Sequence, residues 1–217
     1  NQVLQVSETL PAGSRITNIV MMGMGEPLHN YGNLVAALRN MMHDDALNLS
    51  HRKITVSTVG LLPGLRKLAS ELPVNLAISL NASTEEQRRQ VMPITHRYSL
   101  ADLMETCNSL PLPRGKRIAF EYVMMAGFND DLADAERLLK LLDPNRSKVN
   151  LIPYNENPNR KIRRPPFGRV KAFQHHLVTN GLHCSIRTTR GIDISAACGQ
   201  LGKGAINTYE PNEASNV

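Results

Sequence analysis

The fold is indicated by one stretch of sequence, Asn18-Ile19-Val20-Met21-Met22-Gly23-Met24-Gly25-Glu26-Pro27, in which a short apolar run ends in a glycine-rich turn carrying one carboxylate. Such a run before a turn is typical of a buried strand in a parallel sheet. Gly25 lets a ligand approach the backbone closely, and Pro27 restricts the backbone where the chain leaves the turn. Because α/β proteins bind ligands where strands end, Glu26 is predicted to face a ligand ammonium group. A solvated Glu in a tight strand-to-helix turn fits the pattern equally well.

Strand-like apolar runs alternate with amphipathic helical segments along the chain. Strands are predicted at residues 19–22, 53–57, 75–80, 118–123, 149–152 and 184–187. Helices are predicted at residues 31–42, 63–71, 84–91, 100–110, 131–142 and 169–180. This alternation favours βα units and a parallel sheet. Periodicity alone leaves both an open doubly wound sheet and a partial barrel possible.

Composition limits the class of protein. The 217 residues are 41% apolar and 20% charged, which is ordinary for a globular protein. A net charge of +6 suits a polyanionic partner such as RNA. We see no apolar run of membrane-spanning length and no signal peptide, so no membrane partner is expected. Three scattered cysteines form neither a disulfide framework nor a metal cluster, which indicates a reducing cytoplasmic location.

Polar side chains recur where the predicted strands end. The second strand leads into Ser57, and the fifth leads into Asn155. The third strand ends in Ser79, Leu80 and Asn81. Parallel strands bring such residues to the same edge of a sheet, together with Glu26. Each residue alone is weak evidence, but the succession predicts a site for a small polar ligand.

Cys198 stands out among the three cysteines. It lies among small residues and follows Arg187 and Arg190 in the sequence. A positive surrounding lowers the pKa of a thiol and favours the nucleophilic thiolate. The alternative is a small apolar residue in an alanine-rich helix. Cys107 and Cys184 are interpreted as structural, because one falls on a helical face and the other within a strand pattern.

A dense basic run follows the fifth predicted strand. Its members are Arg160, Lys161, Arg163, Arg164, Arg169 and Lys171. Phosphate neutralisation by such a run gives salt-dependent, largely sequence-independent affinity for RNA. The run is therefore predicted to contact RNA, and the alternative is a solvated loop.

Six motifs occur in an order that carries a family resemblance: MMGMGEPL (21–28), VST (56–58), AISL (77–80), EYVM (121–124), NLIPYN (150–155) and RTTRG through CGQL (187–201). Together they resemble the radical S-adenosylmethionine (SAM) methyltransferases that methylate C2 of an adenine in 23S rRNA and often in tRNA. The resemblance implies an α/β fold, a partial TIM-like (β/α)6 barrel with SAM across the strand ends.

The resemblance also implies roles for particular residues. Gly25 and Glu26 would hold the methionine amino group of SAM. Cys198 would carry a methyl group taken from one SAM, and a second SAM would supply the radical that activates it. This indirect route suits adenine C2, which is too weak a nucleophile for direct displacement. The rest of the SAM site would comprise Ser57, Ser79, Leu80, Asn81 and Asn155.

The chain departs from that family in two respects. The family's CxxxCxxC loop, which holds a 4Fe–4S cluster, is absent, and so are the first barrel strand and the second catalytic cysteine that accompany it. Asn81 occupies a position where many relatives have His. We therefore expect a partial barrel over residues 1–183 and a cysteine-bearing segment over 184–217. The parent protein would be an enzyme using SAM, a 4Fe–4S cluster and an electron donor, whereas this chain alone is expected to be inactive.

Three alternatives remain open at this point. The related rRNA adenine-C8 methyltransferases share the chemistry. A truncated, non-catalytic RNA-binding module would show RNA affinity without SAM dependence. A barrel enzyme for a phosphorylated metabolite would leave the Cys198 segment unexplained.

Overall fold

The computed structural model describes residues 2–156 and 161–187, in which six parallel strands form one sheet. The site candidates Arg160 and Cys198 lie outside the described residues. The strands follow one another across the sheet in chain order. They are β1 (Ile19–Met21), β2 (Ile54–Thr58), β3 (Asn75–Ser79), β4 (Ile118–Met124), β5 (Ser147–Pro153) and β6 (His183–Ile186).

The helices after β1 connect the strands and begin and end within two residues of the predicted bounds. They are α2 (Tyr31–Met42), α3 (Leu62–Glu71), α4 (Glu85–Val91), α5 (Leu100–Ser109), α6 (Leu132–Leu141) and α7 (Phe167–Thr179), and a further helix, α1 (Gln2–Glu8), precedes β1. Helix α5 begins with a capping box between Ser99 and Asp102, and Gly181 follows α7 with a φ of 87°. Sequence analysis missed three short 3₁₀ helices, at Pro27–Asn30, His51–Lys53 and Pro93–His96.

The strand order decides between the two architectures that periodicity left open. A doubly wound sheet reverses its order at a switch point, so that helices cover both faces. Here the order runs from β1 to β6 without reversal. Crossovers of one hand then place every connecting helix on the same face, which favours a curled, barrel-like sheet. Within the described ranges, no helix is long and apolar enough to cross a membrane.

The two faces of the sheet differ in burial. Ile54, Val56 and Thr58 of β2 are buried, whereas the alternate residues Thr55 and Ser57 are only partly buried. The outward face therefore packs into the hydrophobic core with the helices, and the inward face remains accessible. At the open side, Nη1 of Arg187 lies 3.6 Å from Sδ of Met22, which links the ends of the first and last strands.

The loop after β2 is sterically tight at Gly60. This residue has a φ of 99°, and a Cβ atom there would lie 2.8 Å from Cδ1 of Leu103. We expect Gly60→Ala to lower the free energy of unfolding by about 1–3 kcal/mol, through backbone strain and overpacking. Urea denaturation measures the change. Gly168→Ala is the control, because its Cβ would meet no atom within 4 Å. Equal effects of the two substitutions would contradict the steric account.

Candidate cofactor-binding site

The carboxylate of Glu26 ties the turn after β1 to the end of β2. Its Oε1 accepts hydrogen bonds from the Leu28 N–H at 3.1 Å and the Thr58 hydroxyl at 2.8 Å. Its Oε2 accepts a bond from the Val59 N–H at 2.8 Å. A carboxylate offers about four acceptor positions, so these three donors leave roughly one for a ligand. Glu26 is thus a fixed part of the strand-end edge.

Gly25 leaves open space beside this carboxylate. Its φ is 89°, and a Cβ atom at this position would meet nothing within 4 Å. The left-handed conformation favours glycine, and the lack of neighbours allows a ligand to reach the backbone. The turn therefore fits the approach of a small polar group.

Ser57 and Ser79 lie on the inward face near the carboxyl ends of neighbouring strands. Ser57 pairs with Ala77, and Ser79 pairs with Glu121. Both residues are half-buried. Neither hydroxyl has a hydrogen-bond partner among the residues that the structure describes, so both are available to a ligand.

Leu80 and Asn81 connect the end of β3 to β4. Their N–H groups donate to the Glu121 carbonyl at 2.9 and 3.3 Å. The Asn81 Oδ1 accepts from the Val123 N–H at 3.0 Å, and the Asn129 amide donates to the Asn81 carbonyl at 2.8 Å. The Asn81 side chain thus has a structural role. Leu80 is fully buried, so its side chain is not available to a ligand.

Asn155 completes the set of predicted cofactor residues in the described ranges. It follows β5 by two residues and is 9% exposed. The adjacent Tyr154 N–H donates to the Met124 carbonyl at 3.0 Å. This bond extends the pairing of β4 and β5 toward the same edge that carries Glu26, Ser57 and Ser79.

Arg88 is a buried support of this edge that sequence analysis missed. Its Nη2 donates to the carbonyl of Val59 at 2.9 Å and that of Ser79 at 3.3 Å, and its Nη1 donates to the Thr95 hydroxyl at 2.8 Å. Burial lowers its pKa to about 10. Because the Val59 N–H donates to Glu26 and the Val59 carbonyl accepts from Arg88, the two side chains hold the end of β2 together, and the bond to Ser79 holds the end of β3. No signal in the helix sequence distinguishes Arg88 from Arg89, which is exposed.

The cysteines in the described ranges do not fit an iron–sulfur cluster. Cys107 is buried in α5, Cys184 is half-buried in β6, and burial raises the pKa of each thiol to about 12. Cluster ligands are thiolates. Within residues 2–156 and 161–187, no group of three or more His, Cys, Asp or Glu residues could hold a metal ion. The structural interpretation of these two cysteines therefore agrees with their surroundings.

The described part of the basic run is exposed and only partly paired. Arg163 lies 3.8 Å from Glu156, and Arg169 lies 3.4 Å from Asp130. Asp130 is almost fully buried, so Arg169 compensates its charge as well as facing solvent. Lys161 and Arg164 have no ion pair among the described residues. These two are the clearest candidates for an RNA phosphate.

Glu121 is a second acidic group that sequence reasoning did not assign to a role. It lies inside the otherwise apolar strand β4 and is 6% exposed. Its Oε1 accepts from the Asn150 amide at 2.8 Å, and its Oε2 has no hydrogen-bond partner among the residues that the structure describes. Burial raises the pKa of this carboxyl, although Asn150 and the more distant Arg187 and Lys148 act in the opposite direction. A charged residue in an apolar strand was the signal that could have revealed it.

A pH dependence of stability follows from Glu121. Because its pKa is higher in the folded state, the stability that it contributes is complete below the unfolded value, about 4.3, and is lost as pH rises through the folded value. We expect Glu121→Gln to remove this component from a plot of unfolding free energy against pH. Urea denaturation across that pH range measures it. Glu105→Gln, at an exposed site, should leave the plot unchanged, and identical plots for all three proteins would contradict the assignment.

Comparison with known proteins agrees with this geometry. No protein-family model matches the chain. A crystal structure of a radical SAM methyltransferase from Sphaerobacter thermophilus superimposes with a TM-score of 0.85 and 41% identity, over 91% of this chain and 60% of that one. A domain of pyruvate-formate lyase-activating enzyme from Bacteroides vulgatus, only 17% identical, shares the fold with a TM-score of 0.60. The fold is thus the partial barrel of radical SAM proteins, as predicted.

Curated relatives identify the family within that class. The dual-specificity RNA methyltransferase RlmN of Anaeromyxobacter sp. is 54% identical over 86% of this chain and 49% of its own length. The protein of the same name from Geobacter sulfurreducens is 46% identical over 99% of this chain and 58% of its own length. The chain belongs to this family of RNA methyltransferases. It spans about half to three fifths of the length of the relatives it matches.

Proposed function

We propose that this chain is the SAM-binding and methyl-carrying part of an enzyme that methylates C2 of adenine in 23S rRNA and tRNA. The observation that carries the proposal is the strand-end edge, where the bound carboxylate of Glu26 lies beside the open turn at Gly25. Membership of the RNA methyltransferase family supports methyl transfer to RNA as the class of reaction. Cys198 would receive the methyl group, in the segment 184–217, which we treat as a separate functional unit.

The residues at this edge fit one end of SAM. The remaining acceptor position of Glu26 and the backbone at Gly25 suit the ammonium group, and the free hydroxyls of Ser57 and Ser79 suit other polar atoms. Leu80 and Asn81 would contribute mainly their backbone carbonyls, because the side chain of one is buried, that of the other bonds to β4, and both N–H groups bond to Glu121. Asn155 would close the site from β5. When bound, SAM supplies both the methyl group and the radical chemistry.

The remaining parts of the proposal concern the whole protein. Its partners would be 23S rRNA, tRNA and an electron donor for a 4Fe–4S cluster, in the cytoplasm. The cysteines of the described ranges do not fit that cluster. The contribution of this chain is to bind SAM, hold the acceptor thiol and contact RNA.

Binding of SAM to the 217-residue chain tests the cofactor assignment. We expect Glu26→Gln to weaken binding about tenfold or more, because glutamine cannot accept bonds from Leu28, Thr58 and Val59 at once and the edge loosens. Isothermal titration calorimetry measures the affinity. Glu105→Gln is the control for the lost charge. An unchanged affinity in Glu26→Gln, or no binding by the parent chain, would refute the assignment.

The salt dependence of RNA binding tests the basic run. We expect the double variant Lys161→Gln, Arg164→Gln to lower the slope of log affinity against log salt by about 0.7–0.9 per lost phosphate contact. Fluorescence anisotropy with a labelled RNA at several salt concentrations gives the slope. The control is Arg39→Gln, Lys140→Gln, which removes the same charge from exposed sites on outer helices. If the two double variants give the same slope, the run is a solvated loop.

A further inference from the structure

A cavity of about 520 Å³ lies on the inward face of the sheet. Four cationic residues line it from four different parts of the chain. Arg52 and Arg117 precede β2 and β4, Lys148 lies near the start of β5, and Arg187 follows β6. None of the predicted SAM residues lines this cavity. It runs from Arg52 and Arg117, before β2 and β4, to Met22 and Arg187, which follow β1 and β6 at the open side of the sheet.

The positive charge at this cavity is not neutralised within the described part of the chain. None of the four cations takes part in an ion pair there, and the side chains of Arg52 and Lys148 form no hydrogen bond either. The neighbouring Lys116 has a lowered pKa, caused by burial and then by the charge of Arg52. Like charges held close together destabilise a fold unless an anion offsets them. The arrangement therefore favours a bound anion.

The neutral groups in the cavity wall fit the same kind of ligand. Among the described residues, the Thr55 hydroxyl has no hydrogen-bond partner, and it faces the cavity. The acidic residue in the described wall is Glu121, whose Oε2 is buried without a partner. Its Oε1 already accepts from the Asn150 amide, and the four cations outnumber this single carboxyl in the described wall.

We propose that this cavity binds a small phosphate-bearing ligand. Several cations from separate elements surround an anion with many oxygens better than a single carboxylate, and arginine matches phosphate geometry. The volume lies within the range of small-molecule sites and accommodates a group as large as a nucleotide. The site is independent of the proposed methyl transfer, since it uses none of the residues assigned to SAM.

Pyrophosphate is the probe for this site. We expect saturable binding to the 217-residue chain by isothermal titration calorimetry, in a buffer of constant ionic strength without phosphate. The double variant Arg52→Gln, Lys148→Gln should bind pyrophosphate at least tenfold more weakly. It should still fold, because neither replaced side chain forms a hydrogen bond or an ion pair in the described part of the chain. The matched control Arg39→Gln, Lys140→Gln should bind like the parent. No saturable binding, or equal losses in both variants, would overturn the proposal.

Two further arms fix the chemistry of the ligand. Glu121→Gln should bind pyrophosphate at least as tightly as the parent, because glutamine donates an N–H and carries no negative charge. A weaker affinity in this variant would mean that the ligand needs the Glu121 carboxylate as a hydrogen-bond acceptor. That result would contradict the anion site. Bound pyrophosphate should also persist when the chain is saturated with RNA. If RNA displaces pyrophosphate, and the Arg52, Lys148 variant also binds RNA more weakly, the cavity binds the RNA backbone. That result would overturn the proposal of a small ligand.

Discussion

The structure depends on the sequential order of its parallel strands. Since β1 to β6 follow one another without reversal, the connecting helices lie on one side, and the other side faces inward without a covering layer. The apolar residues of each strand pack toward the helices, and the inward positions are free to be polar. Serine, asparagine and glutamate occupy these positions because no second layer of helices requires apolar partners there.

The strand-end edge is held in place by polar side chains that lie behind it as well as by those that face the ligand site. Glu26 holds the turn after β1 against the end of β2, and Arg88 holds the same strand end from the helical side. Asn129 performs a similar task further along, where it bonds to the carbonyls of Asn81 and Val123. Precise binding sites need such supports, because a loose strand end would displace the ligand contacts by about 1 Å.

Sequence reasoning succeeded where the signal is local. Alternating apolar runs located the six strands of the described sheet and the helices that connect them. Periodicity could not choose between a barrel and an open sheet, because strand order arises from pairing between distant segments, and only the family resemblance favoured the barrel. For the same reason it missed Arg88 and the cavity cations: their roles depend on neighbours that are remote in sequence. Leu80 was assigned to the site by resemblance, and the structure leaves only its backbone available.

The left-handed backbone at Asn81 restricts how this position can vary. Its φ of 58° is a conformation that asparagine, aspartate and histidine adopt more readily than other residues with side chains. The side-chain oxygen must also reach the Val123 N–H, which excludes glycine as an equivalent replacement. Histidine, which the family resemblance suggests at this position, is one of the few residues that adopt this backbone conformation readily. An exchange of asparagine for histidine would keep the backbone geometry, and a ring nitrogen would replace the amide oxygen as acceptor from the Val123 N–H.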